Sequence, residues 1–494
     1  MSRTAIIIGA GIAGLAAAIR LRSAGLQVQV IEANDYVGGK LTEVGNDQYR
    51  FDAGPSLFTM PQYVDELFEI AGRNPRQYYS YQRLDTICRY YWDDGTELTT
   101  YQDVPRTAEA IATELGESTD SVVNHLADSK LKYELTGKTF LEHSLHKLKG
   151  WLQGSTLRAI TQLHKLDLLR SMHSVNASRF QNEKTVQLFD RYATYNGSDP
   201  YKTPGLLNII PHYEYSFGAY YPDGGMHSIT KAVYELAQDI GVQFTLGERV
   251  TAIDHSRAEV KGVSTEKGYY TADIIVSNMD IYYTYGQLLA DSKRAKKVRK
   301  QERSSSALIF YWGVKGRWPH MDLHNIFFSS NYQAEFDAIS KGEVCDDPTV
   351  YVNISSKMTA SDAPRDCENW FTMINVPHDS GQDWSDIAAT ARANIIAKLS
   401  KRLGVPFADL VEYEDVLDPI KIDQRTMSHT GSLYGTSSNS KWAAFLRHPN
   451  FTSQISGLYF CGGSVHPGGG IPLCLLSAKI VHDLVIAKYG ISKS

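Results

Sequence analysis

The order of apolar and polar positions along the chain places most of its elements. Thr4-Ala-Ile-Ile-Ile8 is a short β-branched run, the pattern of a strand buried on both faces. Gly9, Gly11 and Gly14 follow it, Ile12–Ala24 reads as a helix, and Gln27–Ile31 alternates as a second strand that ends at Glu32. Tyr49–Asp52 reads as a short strand running into a forced turn at Gly54-Pro55, and Gln62–Ala71 repeats apolar residues at helical spacing.

The texture changes from about residue 76. Cys88–Trp92 and Glu97–Tyr101, separated by Asp93-Asp94-Gly95, predict a hairpin. From Lys130 to Arg170 the chain looks helical and mixes Lys130, Lys132, Lys138, Lys147, Lys149, Arg158, Lys165 and Arg170 with Leu, Phe and Trp. Such a stretch is either a solvated helix face or one that lies on an anionic membrane.

After the turn at Asp223-Gly224-Gly225 come a helix (Ser228–Gln238), a strand (Gly241–Phe244), a ribbon and an apolar strand, Asp273–Ser277. That order predicts a return to the first sheet. A second strand-rich block follows, with Ser306–Gly313, Asn325–Ser329, Val350–Ile354 and Trp370–Val376 as strands and Ile387–Leu403 as a helix. The last segment repeats the opening grammar: strand Leu458–Cys461, a glycine-dense loop to Gly470, then a helix with Pro472 near its first position.

The opening glycines sit at the G-x-G-x-x-G spacing. The first permits a tight turn, the second a close approach of backbone to a pyrophosphate, and the third close packing of helix on strand. Amides at the helix start, Ile12 and Ala13, then face that phosphate with the positive end of the helix dipole. Glu32 stands where a carboxylate accepts from a ribose hydroxyl, and it would repel a 2′-phosphate. Strand, glycines, helix, strand and acid form one unit of about 30 residues, the context that makes this motif credible. Gly38, Gly39 and Lys40 come next, a second glycine pair and a cation able to brace the same pyrophosphate.

Further along, Gly54, Ser56 and Leu57 are either an ordinary turn or a close approach to a bound ring, and spacing does not separate the two. Backbone near Arg249-Val250 is expected to face an adenine, and Asn278 to lie near the phosphates. Amides around Gly463 and at Ile471, with Gly470 and Pro472 shaping the helix start, can stabilise anionic oxygens, as a flavin ring requires at its N1/O2 edge on reduction. Cys461 and Cys474 flank that loop, where a covalent link is conceivable and packing as small apolar groups is expected.

The chain has 494 residues, room for two domains or one domain with insertions. A formal net charge of −5 offers nucleic acid no general attraction. Five cysteines without a C-x-x-C pair fit neither a disulfide framework nor a zinc site. His143 with His146 and His320 with His324 have helical ligand spacing but no third ligand nearby in sequence, so no metal is expected. The N-terminus enters the nucleotide loop directly, and no apolar run is long enough to span a bilayer, which predicts a cytoplasmic protein.

Gly38-Gly39-Lys40 resembles the double-glycine extension of the glutathione-reductase and amine-oxidase flavoproteins, which favours FAD over NAD. Together with Phe51-Asp-Ala-Gly-Pro-Ser56, Tyr221–Met226, Gly431–Gly435 and His466-Pro-Gly468-x-Gly470-Ile-Pro472, it makes the chain similar to the bacterial carotenoid desaturases, relatives of phytoene desaturase. Phe51–Phe68 looks most like the branch that desaturates hydroxycarotenoids at the 3,4 bond.

The resemblance implies an α/β fold: a Rossmann-like FAD-binding domain of the glutathione-reductase/amine-oxidase type (residues 1–75, 221–300 and 426–494). Into it is inserted an α+β substrate and membrane-facing domain (76–220 and 301–425). It implies FAD-dependent desaturation of a long C40 polyene, peripheral attachment to the inner face of the membrane, and an external acceptor, quinone or oxygen. No catalytic residue is assigned. Phytoene desaturation is the alternative within the family, and an isoprenoid-binding escort protein without redox chemistry is the alternative outside it.

Overall fold

The structure is a computed structural model that describes residues 3–143, 146, 162, 165–256, 258–440 and 447–490. A five-stranded parallel sheet forms its base, in the order Gln243–Thr245, Gln27–Ile31, Thr4–Ile8, Ile274–Ser277, Leu458–Phe460. Three of these strands come from beyond residue 240, so the chain does return to its first sheet. The two faces follow the period of two in Thr4–Ile8. Ala5 and Ile7 pack with the helices Ile12–Ser23, His227–Asp239 and Ile471–Tyr489. Ile6 and Ile8 pack with Val250, Ile253, Val260 and Val263 of an antiparallel ribbon on the opposite face. Buried all round, Ile12–Leu21 is a core helix, and its run of alanines lets it lie close to the sheet.

A seven-stranded sheet carries the second core, in the order Val411–Leu417, Ser306–Lys315, Cys367–Val376, Val350–Asn353, His324–Phe327, Thr86–Tyr91, Glu97–Tyr101. The two late-separated segments meet in it through one parallel pairing, Ile326 beside Tyr90. Alternation again divides the faces. Leu308, Phe310 and Trp312 pack under the helix Trp384–Leu403, while Ala307 and Ile309 face the other way. That helix begins earlier than its apolar pattern indicates, because Asp383 caps it by accepting from the amides of Ser385 and Asp386.

Only part of the basic stretch lies within the described residues. The described helix, Thr119–Leu141, ends well before Arg170. Lys132 is fully buried and pairs with Asp128 and with Asp167 at 2.9 Å, so it is lost to any membrane-facing surface. Lys147, Lys149 and Arg158 lie outside the described residues. No described helix is long and apolar enough to cross a membrane.

Candidate functional site

The site is built where the first strand ends. Gly9 has φ +94° and donates to the Ile31 carbonyl at 2.8 Å, which brings the two strand ends together. A Cβ on Gly14 would lie 2.1 Å from the Gly9 carbonyl oxygen, and one on Gly11 would lie 2.7 Å from Asn278 Nδ2. The glycines are thus fixed by close packing of helix on loop and by the side chain of Asn278, which follows a strand far along the chain. Gly11 caps the helix without a side-chain hydrogen bond, leaving its first amides free for an anion.

Glu32 is 9% exposed and holds this edge. Its Oε2 accepts from the Ala10 amide at 2.6 Å and its Oε1 from the Asn34 amide at 2.9 Å. Gly38 donates to the Ala10 carbonyl at 2.9 Å, so the second glycine pair folds back onto the first loop. Lys40 takes a different direction from the one its position suggested. Its ammonium donates to the Leu433 carbonyl at 2.7 Å, bridging the N-terminal loop to the segment before the last strand. Burial lowers its pKa to about 8 against the opposing charge of Asp280.

The turn after Phe51 packs tightly. A Cβ on Gly54 would meet the Lys40 carbonyl at 2.0 Å, and Tyr311 Oη donates to the Ala53 carbonyl at 2.8 Å. Ser56 Oγ lies 2.7 Å from Tyr351 Oη, in the seven-stranded sheet. At the far end of the chain, Gly462, Gly468 and Gly470 all have positive φ, and Gly470 starts the last helix without a side-chain cap. Arg447 is buried and donates to the carbonyls of Tyr434 at 2.6 Å and Gly463 at 3.3 Å, clamping this loop. Burial pushes the Cys461 thiol up, and that of Cys474 up to about 11, so both are neutral.

A cavity of about 640 Å³ joins these parts. Gly9, Gly11, Ile12, Ala13, Glu32, Gly39, Lys40, Gly54, Ser56, Leu57, Val250, Asn278, Gly463, Gly470, Ile471 and Pro472 all border it. Gly14 stands behind, where its packing role puts it. Sequence reasoning missed Arg447 and the polar residues Arg191, Glu214 and His324, which also border the cavity. Gly431–Gly435 was visible as a motif without a role; the structure gives it the carbonyl that receives Lys40. Two uncapped helix N-termini, a buried carboxylate at the end of the second strand and glycine contacts that leave no room for a Cβ fit a flavin dinucleotide.

Comparison with known proteins agrees. Residues 12–486 match the family described as flavin containing amine oxidoreductase. A 1-hydroxycarotenoid 3,4-desaturase of a Flavobacterium species is 50% identical over 98% of this chain and 99% of its own. A 4,4'-diapolycopene oxygenase of a Methylomonas species is 33% identical over 98% of both chains. Among solved structures, cyclohexylamine oxidase of Brevibacterium oxydans shares the fold, with a TM-score of 0.64 at 16% identity over 99% of this chain and 100% of that one. The chain therefore belongs to the flavin containing amine oxidoreductase family and, within it, to the branch of the carotenoid desaturases.

Proposed function

We propose that this protein is an FAD-dependent carotenoid desaturase that forms the 3,4 double bond of a 1-hydroxylated, γ-carotene-type C40 polyene. The observation that carries the reading is the 50% identity, across nearly both full lengths, to the Flavobacterium 1-hydroxycarotenoid 3,4-desaturase.

Bound in the cradle, FAD would supply the two-electron acceptor that no side chain provides. In this reading Gly9, Gly11, Ile12 and Ala13 hold the pyrophosphate, with Gly14 keeping the helix against its strand. Glu32 takes a ribose, Val250 the adenine, and Asn278 steadies the loop beside the phosphates. Gly39 and Lys40 link that end to the ring, Gly54, Ser56 and Leu57 flank one side of it, and the amides of Gly463, Gly470 and Ile471, with Pro472, serve its N1/O2 edge. Ala307, Ile309, Phe371 and Met373 form the apolar wall against which a hydrocarbon chain lies and from which water is excluded. Loss of a hydride beside a conjugated chain would spread positive charge over the polyene, the electron pair going to the acceptor that FAD would supply. The departing proton then needs only a weak base, and no residue is assigned that role.

A C40 polyene resides in lipid, which supports peripheral attachment to the inner membrane face and an acceptor such as quinone or oxygen. Expression in carotenoid-producing cells with product identification tests the function. A new double bond beside the hydroxylated end is expected; conversion of phytoene to lycopene overturns the choice of substrate. Protein that stays colourless and gains no flavin absorbance on adding FAD sinks the enzymatic reading.

A further inference from the structure

The cavity wall is mostly apolar where the strands Ser306–Lys315 and Cys367–Val376 face it, but on the next two strands of the sheet it becomes polar. His324 and Tyr351 border it there, on adjacent antiparallel strands. Tyr351 Oη lies 2.7 Å from His324 Nδ1 and 2.7 Å from Ser56 Oγ, so the cluster is tied to the Gly54-Pro55-Ser56 turn. Asn353 Nδ2, which also donates to the Leu323 carbonyl, reaches the same Nδ1 at 3.2 Å.

An amide nitrogen only donates, so Nδ1 is an acceptor. Burial, with the Arg191 charge nearby, lowers the imidazole pKa to about 3 and keeps the ring neutral. The single ring proton therefore sits on Nε2. That atom is buried and has no partner, in a residue that is 4% exposed. Arg191 borders the same cavity. Its terminal nitrogens donate to Tyr195 and Tyr90, at 2.9 and 2.7 Å, while its Nε is also buried and unpartnered. Both orphans are donors on residues that border the cavity. Buried donors are rarely left unpaired, so what is missing is an acceptor oxygen.

We propose that His324 anchors the oxygenated end of the polyene by donating its Nε2 proton to the substrate's hydroxyl oxygen. The proposal rests on the functional reading above and adds the residue that sets substrate choice. A hydroxyl on C1 is only three bonds from C3, so its anchor has to lie next to the turn assigned to the ring. Ser56 and Tyr351 put His324 there. His324 acts through binding and orientation, and no proton leaves it during the reaction.

The test uses the flavin-loaded enzyme and two polyenes of one carbon skeleton, with and without the 1-hydroxyl. The ratio of their kcat/KM values, and the ratio of Kd values for the two products followed by tryptophan quenching, are compared in wild type, His324→Phe and His324→Gln. We expect His324→Phe to lower both ratios roughly 10- to 100-fold, chiefly through KM, and His324→Gln, which keeps a donor, to recover part of the loss. Equal losses on both polyenes, or unchanged ratios, overturn the anchor. If His324→Phe fails to load flavin, Asn353→Asp replaces it. A carboxylate there accepts from Nδ1 in place of donating to it, which moves the ring proton off Nε2 and is expected to lower the same ratios; unchanged ratios there overturn the anchor too. The Kd ratio is read without turnover. A wild type that prefers to bind the hydroxylated polyene, in a His324-dependent way, but desaturates another compound would therefore sink the functional reading and leave the anchor standing.

Discussion

Glu32 offers the most direct test of the cradle, because its two oxygens are already engaged before any ligand enters. Oε2 accepts from the Ala10 amide at 2.6 Å and Oε1 from the Asn34 amide at 2.9 Å. Ala10 is fully buried, so Glu32→Ala leaves its N–H with no replacement, a cost of about 1–3 kcal/mol. Asn34 is partly exposed and recovers a water partner, adding about 0–1 kcal/mol. A ribose hydrogen bond to a carboxylate contributes about 1.5–3 kcal/mol, so FAD binding weakens further, by about 10- to 100-fold. Glu32→Gln keeps the shape and one acceptor but loses the charge, and it should fall between the two. Titration of flavin-stripped protein with FAD, followed by absorbance, gives the affinity, and thermal melting of the same samples gives the loop's share. A Glu32→Ala protein that melts earlier yet binds FAD like wild type would show that the carboxylate only braces the loop, and would refute its ribose role.

Other consequences are read more simply. Gly14→Val places a Cβ within 2.1 Å of the Gly9 oxygen and must push the helix off its strand; we expect insoluble or flavin-free protein, and normal flavin content would contradict the packing argument. Histidines 125 and 324 have pKa values lowered to about 3, and 448 and 466 to about 4, chiefly by burial. Each stays neutral in the fold and takes up a proton on unfolding, so stability is full above about pH 6.5 and falls as pH drops through the interval down to about 3, by about 1.4 kcal/mol per pH unit per histidine. Melting temperatures measured from pH 7.5 to 5 should show this decline. His125→Phe, in a site between Phe180 and Phe189, should make it shallower; an unchanged slope would count against a neutral His125. Charge reversal at Lys147, Lys149 and Arg158 is expected to abolish binding to anionic liposomes, and undiminished binding would remove this stretch as the membrane contact.

Most of the fold was legible because its signals are local. Thr4–Ile8 and Ile274–Ser277 are β-branched runs buried on both faces, and each glycine loop follows directly on a strand. What escaped was set by pairing between distant segments. The direction of Lys40 depends on the Leu433 carbonyl, 393 residues away, and Arg447 carries no local pattern at all. His324 was hidden by a single position. With the strand placed at Asn325–Ser329 it fell one residue outside and was weighed only as a pair with His320 at helical ligand spacing; in the structure it opens the strand His324–Phe327 and shares the cavity-facing side with Ile326. Lys132 shows the same limit from the other side. A count of cations made it part of a basic surface, whereas Asp128 and Asp167 draw it into the interior.

The two halves of the cradle are far apart in sequence, and topology still obliges them to meet. In a parallel sheet every strand ends on the same edge, and Thr4–Ile8 and Leu458–Phe460 are separated only by Ile274–Ser277. Each of the two outer strands leads through a glycine loop into a helix, and both helices pack on the same face of the sheet. Their N-termini must then open toward one crevice, at about two strand spacings, roughly 10 Å apart along the edge. Neither is capped by a side chain, so the positive ends of both dipoles stay available to a ligand longer than a mononucleotide. Asn278 follows the strand between them and lies against both loops, its Nδ2 2.7 and 3.1 Å from a Cβ placed on Gly11 and Gly14 and its Oδ1 2.8 Å from one placed on Gly462. One side chain thereby sets the spacing between the two glycine loops. Enlarging it to Gln would drive the loops apart, and it would lower FAD affinity even though every amide assigned to the pyrophosphate was left in place.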